Sequence, residues 1–224
     1  MTPELEIAPG WCAREIEQEL PGLRLLTAQA HVRRPESLTG ATPADVERRL
    51  QELSNRFRGA TAVAARREPV PSAYRVFYRQ IGLDPEVART PLEAALLERM
   101  MKGGFLPRGL LADVLLVGLL DTGVPIWALD AASVEGPLGI RTSEEGESFG
   151  RDASDAQLPA GQLVVADATT PLAVLFGRLA QAHEPKPRSE RLVLFAVQVA
   201  GVPQLYAEEA LWTCCSALEA AGHW

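Results

Sequence analysis

Hydrophobic residues recur along this chain with two different periods, and the change of period divides it. Between Ala41 and Phe57 the apolar positions Val46, Leu50, Leu53 and Phe57 fall three or four residues apart, on one face of a helix. Thr42 fits its N-cap and Pro43 its first helical position. The opposite face carries Glu47, Arg48, Arg49, Glu52 and Arg56, so this helix should lie on the surface. A second helix is predicted from Thr90-Pro91, where Glu93 completes a capping box. Leu92, Leu96, Leu97, Met100 and Met101 supply its stripe, and Gly103-Gly104 ends it. Trp11 to Leu20 reads as a short helix stopped by Pro21-Gly22, and Leu23 to Val32 as a buried strand. Gly59 to Arg67 reads as a short strand or loop ending in a basic pair. Gly109 to Leu120 is too long for a typical strand and reads as a buried helix.

After Thr122-Gly123 the segments become short and β-prone. Pro125–Leu129, Leu138–Thr142, Gln162–Asp167, Leu172–Phe176 and Arg191–Val199 are separated by turn chemistry at Glu135-Gly136-Pro137 and Pro159-Ala160-Gly161. Ser143 to Asp155 reads as an acidic, exposed loop and Ala182 to Arg191 as a polar loop, and Leu205 to Ala221 returns to helix. Helices, then strands, then a closing helix is not the strict alternation of a doubly wound sheet. The expectation is α+β, a layered domain with helices packed on β-sheets, forming one unit over residues 1–224.

Charge changes the picture. The net charge of -7 argues against a nucleic-acid partner until it is resolved along the chain. Residues 1–112 hold 16 basic and 14 acidic side chains, whereas residues 113–224 hold 6 and 15. An Arg-rich stretch therefore precedes an acidic half. Three cysteines, Cys12, Cys214 and Cys215, give neither a disulfide framework nor metal-ligand spacing. The N-terminal sequence lacks the regions of a signal peptide, and no apolar run is long enough to span a bilayer. A cytoplasmic protein is expected, without a membrane or DNA partner.

No phosphate-cradling glycine loop, zinc-binding helix motif, nucleophile elbow or paired CxxC occurs, so neither cofactor nor metal is expected. His31, His183 and His223 are far apart; His183, followed by Glu184 in a polar loop, is the candidate acid or base. Asp113 sits inside an apolar segment and needs a partner, expected to be a salt bridge or helix-end contact to an arginine such as Arg75 or Arg108. Asp130 and Asp167 each end a β-prone run, where carboxylates cap turns or line sites. Trp127 reads as a pocket wall or core piece.

Several strings taken together resemble the B3/B4 domain of the phenylalanyl-tRNA synthetase β subunit in a free-standing form. They are Tyr74-Arg75-Val76-Phe77-Tyr78, Gly82-Leu83-Asp84-Pro85, Lys102-Gly103-Gly104-Phe105-Leu106-Pro107 with Asp113, and Thr122-Gly123-Val124-Pro125-Ile126 with Ala128 and Asp130. Glu135-Gly136, Arg141, Gly146-Glu147, Val164-Val165-Ala166-Asp167 and Val193-Leu194-Phe195 continue the register. The resemblance covers residues 70–201, with helices and a strand ahead of it (1–69) and a helix after it (202–224). It implies a β-sandwich with packed helices, and a role in binding tRNA or aminoacyl-tRNA, with or without hydrolysis of a wrongly charged ester. Trp127 stands where the family has a His, apolar Leu116 and Gly109 or Leu110 where it has Asn, Thr170 near its pocket Gly, and Glu184 near a loop acid.

Two readings follow. In one, Arg48, Arg49, Arg66, Arg67, Arg75 and Arg79 contact RNA phosphates, with His183 and Glu184 as the catalytic candidates. Intramolecular pairing of such arginines to Glu47, Glu52 and Glu68 is the alternative for that set. In the other, the module is non-catalytic and holds a small molecule in a pocket made by Trp127, Asp130, Arg141, Asp167 and Thr170, or binds protein through its acidic half.

Overall fold

Two eight-residue strands form the centre of the molecule. The computed structural model describes residues 5–32, 38–151 and 157–220. In it β3 (Arg24–His31) and β8 (Arg191–Gln198) pair antiparallel along their whole length. Strand β1 (Ile7–Pro9) adds to β3, and β4 (Ile126–Asp130) adds to β8, giving the order β1-β3-β8-β4. Alternate side chains leave on opposite faces, and β8 is apolar on both because both are covered. A second sheet has the order β2 (Trp11–Cys12), β5 (Gly139–Thr142), β6 (Leu163–Ala166) and β7 (Pro171–Val174), with β2 and β5 parallel and the rest antiparallel.

Seven helices complete the fold: α1 (Arg14–Glu19), α2 (Ala44–Arg56), α3 (Ala60–Ala64), α4 (Pro69–Gln80), α5 (Pro91–Lys102), α6 (Leu110–Thr122) and α7 (Gln204–Ala220) among the described residues. Helix α7 packs on β3, β8 and α6, and α6 meets β4. Gly118 of α6 lies against Cys214 and Ile126, so one face of the first sheet meets these helices. Leu25 lies against Gly10, between β1 and β2, so the alternate face meets the second sheet. Helices α2, α5 and α6 enclose a further core of Leu50, Leu53, Phe57, Leu92, Leu96, Leu116 and Leu119. The architecture is α+β and layered. No helix among the described residues is long and apolar enough to cross a membrane.

The capping box forms as expected, with the Thr90 side chain and Glu93 bonding each other's backbone N–H, and Gly103 ends α5 in the left-handed conformation. Four expectations are corrected. Residues 60–64 form helix α3, continued by a 3-10 turn, because Ala62 and Ala65 are small enough to pack into the second core. Trp11-Cys12 is a strand beside β5, and α1 starts only at Arg14. Pro43, not Thr42, is the N-cap of α2, since the Thr42 hydroxyl donates instead to the Asp113 carboxylate. The segment from Ser143 is not simply exposed: Ser143 and Phe149 are buried, the latter among Leu158, Val164, Ala166 and Ala180. Residues 152–155 of that segment, Ala221 and His223 lie outside the described residues.

A Cβ at Gly118 would stand 2.7 Å from the Cys214 sulfur and 2.8 Å from Ile126. Replacing Gly118 with Val is expected to cost about 2–3 kcal/mol by overpacking. Gly104→Ala, where the nearest atom is 3.6 Å away, should change stability by less than about 0.5 kcal/mol. Urea unfolding of both variants checks the pair.

Candidate functional site

Asp167 follows β6, and its side chain has no exposure to solvent. A carboxylate so placed must be surrounded by donors. It accepts the backbone N–H groups of Thr169 and Thr170 at 3.0 Å, that of Glu135 at 2.8 Å, and the Arg151 guanidinium at 2.6 Å. Burial alone would push its pKa up, but these N–H groups and Arg151 outweigh it and hold the carboxyl below its usual range. Arg151 also donates to the Ser133 carbonyl and reaches Glu135 at 3.3 Å. Ser133 bonds the Asp130 carbonyl at 2.8 Å and pairs with His183 Nδ1 at 3.0 Å. The Asp130 carboxylate accepts from Ala132 N–H and from the Ser189 hydroxyl at 2.8 Å. One polar network thus joins the end of β4, the end of β6, the 3-10 turn Gln181–His183 and the Lys186–Ser189 turn.

The network holds the loop between β4 and β5, and Val134, Gly136, Pro137 and Leu138 of that loop form one wall of a cleft. The opposite wall is the first sheet near β1, with Ala8, Thr27, Gln29, His31 and Val193. Its volume is about 550 Å³, within the range of small-ligand sites. Glu6 and Glu219 also line it, and among the described residues no lysine or arginine does. Thr27, Gln29 and His31 alternate along β3 and so share one face.

The structure therefore rearranges the residues singled out from sequence. Asp130, Asp167, Thr170 and His183 are brought together, but as the scaffold behind the loop rather than as lining of the cleft. His183 is buried; Glu184 closes its 3-10 turn, half-buried. Arg141 is elsewhere, bound to Glu147, which holds the Glu147 carboxyl below its usual range. Trp127 stacks on Phe195 with ring centroids 5.5 Å apart and meets Phe176 edge-on at 5.8 Å. It is a core piece, half-buried. Gln29, His31, Arg151 and the Val134–Leu138 loop were not found from sequence. The cleft's walls come from segments over a hundred residues apart, and only the polar alternation of Thr27, Gln29 and His31 within an apolar strand marked one of them.

Asp113 meets its need locally. It accepts the backbone N–H groups of Arg108 and Gly109 and the Thr42 hydroxyl, so the arginine contributes its main chain rather than its guanidinium. The arginines expected to face RNA divide. Arg75 is buried and bound to Glu86 and Glu93, which corrects its placement as a phosphate contact. Arg49 binds Glu52 and Asp121, and Arg66 lies 3.6 Å from Glu86. Arg48, Arg67 and Arg79 are exposed and make no ion pair among the described residues.

Residues 73–199 match the family model described as the B3/4 domain. The chain is 36% identical over 94 residues to the Phenylalanine--tRNA ligase beta subunit of Xanthomonas oryzae pv. oryzae (strain MAFF 311018), a match covering 42% of this chain. The same-named subunit of Streptomyces avermitilis is 35% identical over 103 residues, or 46% of this chain, and that of Xylella fastidiosa (strain Temecula1) 36% over 94. In each case the match spans 12% of the relative's length.

Asp167→Asn keeps the shape but loses acceptors from a site of four donors. A loss of about 2–3 kcal/mol is expected at neutral pH. Because the folded-state pKa lies below the unfolded value, the carboxylate's contribution is present above about pH 4 and is lost as pH falls through the depressed folded value. Denaturation of wild type and variant across pH should therefore show their difference shrinking below about pH 4.

Proposed function

Because the chain belongs to the B3/4 domain family, we propose that it binds tRNA, with its free arginines on the phosphates and the cleft on the aminoacylated end. The observation that carries this reading is the family match over residues 73–199, together with relatives named as tRNA ligase subunits. Arg48, Arg67 and Arg79 supply contacts that are independent of base sequence. Among the described residues no lysine or arginine lines the cleft, while Glu6 and Glu219 favour a group bearing an ammonium. A terminal aminoacyl ester carries such a group.

Binding is favoured over hydrolysis. The resemblance implies a His at Trp127, but the indole is packed against Phe195 and Phe176 and its nitrogen, a donor only, cannot serve as an acid or base near neutral pH. His183 is buried against Ser133, and the reading assigns it to support of the loop. Hydrolysis of mischarged tRNA in trans is the second reading, favoured by His31, Glu6 and Glu219, which line the cleft and are able to hold a water.

The Arg48→Ala, Arg67→Ala, Arg79→Ala triple variant should bind uncharged tRNA about tenfold more weakly at low salt. The slope of log affinity against log salt should fall by about 3. Fluorescence anisotropy measures both, and equal binding by wild type and variant contradicts the reading. In parallel, loss of the ester from a panel of mischarged tRNAs should not be accelerated. Acceleration that His31→Ala abolishes would establish the second reading instead.

A further inference from the structure

A second cavity, of about 320 Å³, opens where α1 and the end of α4 meet the second sheet. It lies at the start of β6, the end of that strand opposite Asp167. Leu20, Ile81, Leu83, Leu163 and Val174 give it apolar walls. Four polar side chains from separate parts of the chain also line it: Glu19 of α1, Gln80 of α4, Thr142 at the end of β5, and Gln162 just ahead of β6. Thr142 and Gln162 bond through their main chains. None of the four side chains makes a hydrogen bond or ion pair among the described residues. Glu19 and Gln80 are exposed at the mouth, whereas Thr142 and Gln162 are half-buried. Hydroxyl and carboxamide groups taken part-way out of water ordinarily find partners in the protein. Here their free ends open on the cavity instead. No lysine or arginine lines it among the described residues.

We propose that this cavity takes one guanine base, with Glu19 reading its Watson–Crick edge. A carboxylate accepts two adjacent N–H groups at once, and no cation in the cavity competes for Glu19. Guanine presents such a pair, N1–H and the N2 amine, beside the O6 acceptor, to which a glutamine carboxamide donates. Adenine and cytosine place a ring acceptor beside their amine, and uracil sets its one N–H between two carbonyls; a carboxylate repels each of these acceptors. The flat body of a base suits aliphatic walls, whereas a sugar, polar on every side, would lose water there without return. The volume lies at the small end of ligand sites and suits a single nucleoside. Without a cation the cavity offers nothing to a triphosphate, so the base is an unstacked one of an RNA strand, the form in which RNA sequence is read. Only this last assignment rests on the tRNA reading; the preference for guanine does not.

Chemical-shift titration of the whole chain with nucleosides tests this without any tRNA. Guanosine should shift the amides of Leu83, Gly161, Gln162 and Leu163 and bind about tenfold more tightly than adenosine. Inosine, which lacks the N2 amine, should fall between them. Glu19→Gln should erase the preference while leaving the fold intact, since Glu19 is exposed and holds no other side chain among the described residues. Equal binding of guanosine and adenosine, a preference that survives Glu19→Gln, or shifts confined to other residues would each overturn the proposal. So would larger shifts at these amides from butylamine than from guanosine, which would mark a site for an ammonium group. Tighter binding of a short RNA with one unpaired G than of guanosine supports RNA as the source of the base. Tighter binding of GTP than of guanosine supports the guanine site and overturns the assignment to RNA. If tRNA binds but guanosine is not preferred, this proposal alone fails; if guanosine is preferred but tRNA does not bind, only the tRNA reading fails.

Discussion

A carboxylate removed from water has to be ringed by donors, and at Asp167 this requirement organises one end of the sandwich. Its donors come from the turn after β6, from Glu135 in the loop between β4 and β5, and from Arg151. Arg151 extends the ring to Ser133, and Ser133 to His183 and Asp130. Loops at the end of a sandwich are ordinarily its most mobile parts. Here a single buried charge fixes their relative positions and gives the cleft a defined wall. The side chains that best resembled catalytic groups are those that hold this wall in place.

The same electrostatics explains how the charges of the chain are spent. Asp113 is satisfied by the main chain ahead of α6 and by Thr42, tying the segment before α2 to α6. Arg75 joins α4 to α5 through Glu93, the residue that also closes the capping box. In the first half Arg49, Arg56, Arg66, Arg75, Lys102 and Arg108 enter ion pairs. Arg14, Arg24, Arg48, Arg58, Arg67, Arg79 and Arg89 are exposed and make none among the described residues, enough for several phosphate contacts.

Elements with their own local signals were legible in the sequence. Helix α5 carried a capping box and a terminal glycine, α6 an apolar run too long for a strand, and β8 an unbroken apolar stretch between polar loops. Helix α3 was hidden because its Ala, Thr and Val residues suit strand or helix equally, and packing against the second core decided the matter. Helix α4 was given no assignment from sequence, although Pro69 and Pro71 suit its first turn. At the candidate site the sequence marked the buried carboxylates, since charge beside apolar runs is conspicuous. It did not mark the cleft, whose lining is unremarkable residue by residue and exists only through the meeting of β1, β3 and the β4–β5 loop.

The central claim is that the cleft between β3 and the β4–β5 loop receives the aminoacylated end of tRNA, while arginines outside it hold the phosphates. The most direct measurement is the ratio of affinities for aminoacylated and uncharged tRNA, in wild type and in Gln29→Trp. Gln29 is exposed on the cleft wall, so an indole there fills the space without entering the core. The account predicts that wild type prefers the aminoacylated form several-fold, and that Gln29→Trp loses the preference while still binding uncharged tRNA normally. Equal affinity of wild type for the two forms, or a preference untouched by Gln29→Trp, would contradict it.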